Sequence, residues 1–259
     1  MSKLAFIFPG QGAQKAGMGK DFYENSEAAR SFFDQAQKIL DFDLKEMCFG
    51  EHEELNLTEY TQPCMVSVCL AIVQELKKRG INPDITAGLS LGEYAAVAAA
   101  GGMNELDAIK LVRRRGILMQ NTVPTGEGAM AAVLGLDAKK IEEILESFEN
   151  VWIANYNCPG QIVITGLTNE VQQASLALKE AGAKRVVELK VSGPFHSLLL
   201  KPAGEALLKE MESMSFSPLQ VPYIANATAE IVTDSKKIST FFAKGIYSSV
   251  RWQQSIETM

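Results

Sequence analysis

The chain has 259 residues, with 25 basic against 31 acidic side chains, a formal charge of −6, 47% hydrophobic and 22% charged residues. That balance excludes a collagenous or disordered chain and argues against a general nucleic-acid binder, and the length suits one large domain with or without a smaller companion. The N-terminal run lacks a signal-peptide layout, no apolar stretch is long enough to span a membrane, and Cys48, Cys64, Cys69 and Cys158 show no paired spacing, so the chain reads as a reduced cytoplasmic protein without a metal site.

Residues 4–8 form an apolar run stopped by Pro9-Gly10, which predicts a buried strand entering a loop. Apolar spacing predicts a helix over 25–40, with Phe32, Phe33, Ala36, Ile39 and Leu40 on one face. Thr61-Gln62-Pro63 predicts the capped start of a second helix, which Gly80 ends after Lys77, Lys78 and Arg79. Cys64 and Cys69 fall among its apolar residues and read as packing. A short strand over 85–88 runs through Ser90 into a helix over 91–100. Asn104 then caps a helix reaching Met119, interrupted late by Gly116. Strands alternating with helices predict an α/β core with a mostly parallel sheet.

From residue 126 the pattern changes. Strands over 129–134, 151–156, 161–165 and 185–191 enclose helices over 137–148 and 168–181, with a Cys158-Pro159-Gly160 turn between the middle strands. This β-α-β-β-α-β order predicts a ferredoxin-like subdomain over 126–192, inserted into a large subdomain made of 1–125 and 193–259. A helix over 198–214, a strand over 221–225 and a helix over 238–247 complete the large part.

Gly88-Leu89-Ser90-Leu91-Gly92 fits G-x-S-x-G, with an apolar strand before it and an Ala-rich helix after it. Small residues on both sides let the chain turn tightly and expose a hydroxyl, and the helix start places the Leu91 N–H beside a developing oxyanion. A serine needs a base to take its proton, and only two histidines exist. His52 lies in the acidic run Glu51-His52-Glu53-Glu54, a solvated loop. His196 lies in the turn-rich segment Gly193-Pro194-Phe195-His196-Ser197 and is the expected base. No acid can be assigned as a third member, and a backbone carbonyl serves equally to orient the ring.

Pro9-Gly10-Gln11-Gly12-Ala13-Gln14-Lys15 fails both the dinucleotide and the phosphate-loop patterns. It reads either as a plain turn or as a loop whose Gln11 N–H supplies a second oxyanion donor. Arg113, Arg114 and Arg115 are consecutive on a helix, so they spread around its circumference. A charge run is ordinarily a solvated face, but one inward arginine beside an elbow serine would bind a carboxylate bidentately.

Together, Phe8-Pro9-Gly10-Gln11-Gly12, Gly88-Leu89-Ser90-Leu91-Gly92-Glu93, Arg115-Gly116, Gly128-Ala129-Met130 and Gly193-Pro194-Phe195-His196-Ser197 resemble the malonyl-CoA:acyl carrier protein transacylases of bacterial type II fatty acid synthesis. The resemblance runs from Lys3 to Trp252 and implies an α/β-hydrolase-like core with an inserted ferredoxin-like subdomain. It implies Ser90 as the acylated nucleophile, His196 as its base, Gln11 and Leu91 as oxyanion donors, and Arg115 as the partner of the malonate carboxylate. Asn155, Asn157 and Gln161 match a cleft-lining segment, and a backbone carbonyl near Arg251-Trp252 would orient the histidine. It further implies malonyl-CoA and acyl carrier protein as partners, no cofactor or metal, and a monomer bound to neither nucleic acid nor membrane. The family commonly has histidine where Leu89 stands, with little effect expected. It also continues past Met259 with a strand and a Gly-Pro-Gly segment, so this chain reads as a truncated or short natural form. The rival readings are a discrete polyketide acyltransferase, a serine thioesterase or hydrolase, and a catalytically dead carrier-binding module.

Overall fold

A computed structural model describes residues 3–124, 126–191 and 193–259. Thr125 and Ser192, which the sequence reading places at the edges of the inserted segment, lie outside the described residues. The chain divides into two units, one of Met1–Ile117, Ser213–Ile224 and Ile231–Ile238, the other of Leu118–Glu212, Ala225–Glu230 and Ser239–Met259. The second is wider than the 126–192 segment.

The sheet of the first unit places β1 (Ala5–Phe8) parallel to β2 (Ile85–Gly88), and β2 parallel to β7 (Tyr223–Ile224). The two-residue β8 (Ile231–Val232) closes that edge antiparallel to β7 and is too short to leave a periodic signal. Around these strands run α1 (Lys20–Asn25), α2 (Glu27–Gln37), α3 (Leu44–Phe49), α4 (Thr58–Lys78), α5 (Gly92–Ala99) and α6 (Glu105–Thr122).

Local chemistry moves several expected boundaries. The helix predicted from Asn25 starts at Glu27, because the Ser26 hydroxyl accepts the Ala29 N–H at 3.1 Å and caps it there. Thr61 does not cap α4. Its hydroxyl turns back to donate to the Leu55 and Leu57 carbonyls at 2.6 and 3.0 Å, and the helix begins at Thr58. Gly80 does end it, in the left-handed region at φ 75°, with the Ile81 N–H closing onto the Leu76 carbonyl at 3.0 Å. Gly116 does not interrupt α6. An ideal Cβ there would lie 2.7 Å from the Glu59 Cα and 2.8 Å from the Thr58 carbonyl oxygen, so its smallness lets α6 meet the start of α4.

In the second unit, β3 (Gly128–Leu134), α7 (Ala138–Leu145), β4 (Val151–Cys158), β5 (Gln161–Leu167), α8 (Thr168–Glu180) and β6 (Arg185–Glu188) follow the predicted order. The sheet order is β4-β5-β3-β6, with every pair antiparallel. Val133, Ile141, Ile162, Ile164 and Leu178 pack into its core. The helix expected over 198–214 is instead a 3₁₀ turn at Leu198–Leu200 followed by α9 (Lys201–Met211), with a proline in its first turn. The unit ends with α10 (Ile238–Tyr247) and α11 (Trp252–Thr258). Between them Val250 bonds both ways to β4, its N–H to the Ala154 carbonyl at 2.7 Å and its carbonyl to the Tyr156 N–H at 2.9 Å.

Candidate active site

Ser90 lies between β2 and α5 with φ 52°, a left-handed conformation that a serine adopts only when its surroundings impose it. The surroundings are backbone. A Cβ on Gly88 would fall 2.0 Å from the Gly92 carbonyl, and one on Gly92 would fall 2.5 Å from the Phe8 carbonyl oxygen. Both positions must therefore be glycine for strand, turn and helix to pass so closely. The turn is then fixed by the Gly92 N–H on the Leu89 carbonyl and the Glu93 N–H on the Ser90 carbonyl, at 3.0 and 3.1 Å. The Leu91 N–H has no backbone acceptor among the described residues and sits at the positive end of α5. The Gly10-Gln11 loop presses on the same turn, for a Cβ on Gly10 would meet Leu89 Cδ2 at 2.5 Å. Gln11 is held from its side chain, whose Nε2 donates to Thr58 Oγ1 at 3.1 Å.

The three arginines separate as their helical spacing demands. Arg114 is exposed. Arg113 forks onto the Asp41 carboxylate at 3.0 and 3.1 Å and onto Glu59, and it holds the Asp41 carboxyl below the usual carboxylate range. Arg115 is 2% exposed. Its Nη2 donates to Ser90 Oγ at 3.2 Å, its Nη1 donates to Gln62 Oε1 at 2.8 Å, and its guanidinium lies 5.2 Å from the Tyr94 ring centroid. Burial pushes the Tyr94 phenol well above its ordinary range, so that ring is neutral. Arg115 is thus a buried cation whose hydrogen-bond acceptors among the described residues are neutral oxygens. It has a second charge's place to fill, since a buried charge is tolerated best when paired. Gln62 and Tyr94 were not legible as site residues: reading Thr61 as the cap placed Gln62 in a helix start instead of one turn inside it.

In the second unit His196 also has a left-handed backbone, at φ 60°, and is 5% exposed. Its Nδ1 lies 2.8 Å from the Gly245 carbonyl oxygen. A carbonyl only accepts, so Nδ1 carries a proton, and the neutral tautomer this selects has its lone pair on Nε2. The orienting carbonyl is therefore Gly245 and not one near Arg251-Trp252. The reason is the end of α10. Gly245 falls in its last turn, where carbonyls lack intrahelical donors and are open to a side-chain N–H. The loop is pinned by the Ser197 hydroxyl on the Pro194 carbonyl at 2.7 Å and by the Phe195 N–H on the Gly193 carbonyl at 3.0 Å.

Asn155 is buried on β4 beside a register shift, Asn157 is half-buried two residues on, and Gln161 is exposed at the start of β5. His52 lies outside this chemistry, its ring 3.0 Å from the Glu46 carboxylate. The cysteines are free: a hydrogen bond to Cys48 raises the Cys64 thiol, and burial pushes Cys69 up to about 12. Among the described residues no group of three or more His, Cys, Asp or Glu could hold a metal ion, and no helix is long and apolar enough to cross a membrane.

Comparison with known proteins places the chain in a family. The acyl transferase domain matches residues 5–259. The malonyl CoA-acyl carrier protein transacylase of Bacillus subtilis (strain 168) is 45% identical over 264 residues, covering 100% of this chain and 83% of its own. The crystal structure of an acyl carrier protein S-malonyltransferase from Vibrio cholerae superimposes with a TM-score of 0.96 at 40% identity, covering 99% of this chain and 85% of its own. A malonyl-transacylase solved in complex with its type II PKS acyl-carrier protein gives a TM-score of 0.95 at 38% identity, covering 99% of this chain and 84% of its own.

Proposed function

The chain belongs to the acyl transferase domain family, among the malonyl-CoA:acyl carrier protein transacylases, and on that footing we propose that it moves malonyl from coenzyme A to a carrier-protein thiol through an ester on Ser90. We read the first unit as an α/β-hydrolase-like core and the β3–β6 sheet, with its β-α-β-β-α-β order, as a ferredoxin-like subdomain.

In the first half-reaction Ser90 Oγ attacks the thioester carbonyl while its proton passes to His196 Nε2. The Gln11 and Leu91 N–H groups hold the oxyanion. As the tetrahedral species collapses, the carbon–sulfur bond breaks and the imidazolium returns the proton to the departing thiolate. The second half-reaction runs the same path in reverse: the phosphopantetheine thiol gives its proton to His196, its sulfur attacks the ester, and Ser90 leaves reprotonated. The chemistry draws on these groups alone, with malonyl-CoA as a substrate and no cofactor. We assign Asn155, Asn157 and Gln161 to substrate contacts, and expect a monomer working in the cytoplasm.

The observation that carries the malonyl assignment is Arg115, a buried guanidinium on Ser90 Oγ whose hydrogen-bond acceptors among the described residues are neutral. A terminal carboxylate would supply the missing charge, and its two oxygens match the guanidinium fork. Incubation with malonyl-CoA and holo-carrier protein tests the reading. Malonyl-carrier protein as the main product supports it; free malonate as the main product would establish a hydrolase instead, and no Ser90 ester in the folded protein would leave only a binding module.

A further inference from the structure

We propose that Arg113 is a positioning residue that latches the first turn of α4 and thereby sets the enzyme's preference for malonyl over uncharged acyl groups. The inference rests on the reading of Arg115 as the carboxylate receptor.

Pro63 lies inside α4. Having no N–H, it leaves the Glu59 carbonyl, four residues back, without its helical donor. Arg113 Nη1 takes that carbonyl at 2.8 Å and the Glu59 carboxylate at the same distance. The rest of the guanidinium grips the Asp41 carboxylate at 3.0 and 3.1 Å and stacks 4.7 Å from the Tyr60 and 5.4 Å from the Phe42 ring centroids. One side chain thus replaces the missing helical bond and ties it to the segment carrying Asp41 and Phe42.

Two parts of the proposed machinery are referenced to that same turn. Thr58, its first residue, accepts the Gln11 side chain, and Gln62, one turn on, accepts Arg115. Gly116, next to Arg115, packs directly on the Glu59 backbone. Arg113 and Arg115 are two positions apart on α6 and do not face each other, so one clamps α4 while the other uses its Gln62. A loosened first turn would let Gln62 and Arg115 drift, and small misplacement of a binding group costs up to about 100-fold.

The test compares kcat/KM for malonyl-CoA and acetyl-CoA. Arg113→Ala should lower the malonyl-to-acetyl ratio about 10- to 100-fold, whereas a merely structural role would lower Tm and both rates together. The decisive variant is Pro63→Ala/Arg113→Ala, in which residue 63 regains an N–H for the Glu59 carbonyl. It should recover most of the ratio, and Pro63→Ala alone should keep it. A folded Arg113→Ala with an unchanged ratio would overturn the proposal, as would a double variant that recovers nothing. If Arg113→Ala does not fold, the double variant decides: folded with the wild-type ratio supports the latch, unfolded or with the ratio lost refutes it. A wild type that forms the Ser90 ester without preferring malonyl would instead refute the receptor reading, and the latch with it.

Discussion

Ser90 and His196 share a left-handed backbone, at φ 52° and 60°, yet the two units impose it by different means. Around Ser90 the constraint is steric: Gly88, Gly92 and Gly10 bring backbone so close that no other residue fits. Around His196 it is polar, since the Pro194, Gly193 and Gly245 carbonyls each receive a donor from the loop. The steric solution fixes where an atom sits. The polar one also selects a tautomer, because the Gly245 carbonyl dictates which ring nitrogen holds the proton when the ring is neutral.

Breaking the polar side should produce the largest effect on rate. His196→Ala is expected to slow Ser90 acylation about 10²–10⁴-fold, read by stopped-flow release of coenzyme A, with Tm little changed. Near-normal acylation would remove His196 from the base role. On the steric side, Arg115→Ala should shift the malonyl-to-acetyl ratio by about 2–4 kcal/mol, the scale for losing one partner of a buried charged contact. Arg115→Lys should recover little of it, since a point charge does not reproduce the fork. Steady-state rates with both donors decide this.

The remaining contrasts are in stability. Gly92→Ala drives a methyl into the Phe8 and Pro9 carbonyls and should cost about 1–3 kcal/mol, with the Ser90 geometry disturbed as well. Ser197→Ala removes a single buried hydroxyl bond and should cost about 1 kcal/mol. Denaturant titration of the two variants orders them, and a Ser197→Ala loss exceeding that of Gly92→Ala would reverse the comparison.

The same contrast explains what could be read from the chain. Steric necessity leaves a mark: Gly88-Leu89-Ser90-Leu91-Gly92 announces its turn because only glycine fits twice, and β3 through β6 announce themselves by alternation and turns. Hydrogen bonds between distant segments leave none. Nothing in the spacing connects His196 with Gly245, 49 residues on, because any residue supplies a carbonyl. Thr61 looks like a cap until its hydroxyl is seen turned to Leu55 and Leu57, and that displaced start concealed Gln62. Gly116 reads as a helix break because a close approach by another helix has no local signature. Arg115 could be singled out from Arg113 and Arg114 only by resemblance, for burial is decided by what packs against α6.

The most direct test is intact-mass and peptide mapping after brief exposure to malonyl-CoA. The account predicts one malonyl group per chain, mapped to Ser90, discharged by holo-carrier protein and absent from a folded Ser90→Ala variant. A malonyl adduct that persists in Ser90→Ala, or maps to another residue, would contradict it.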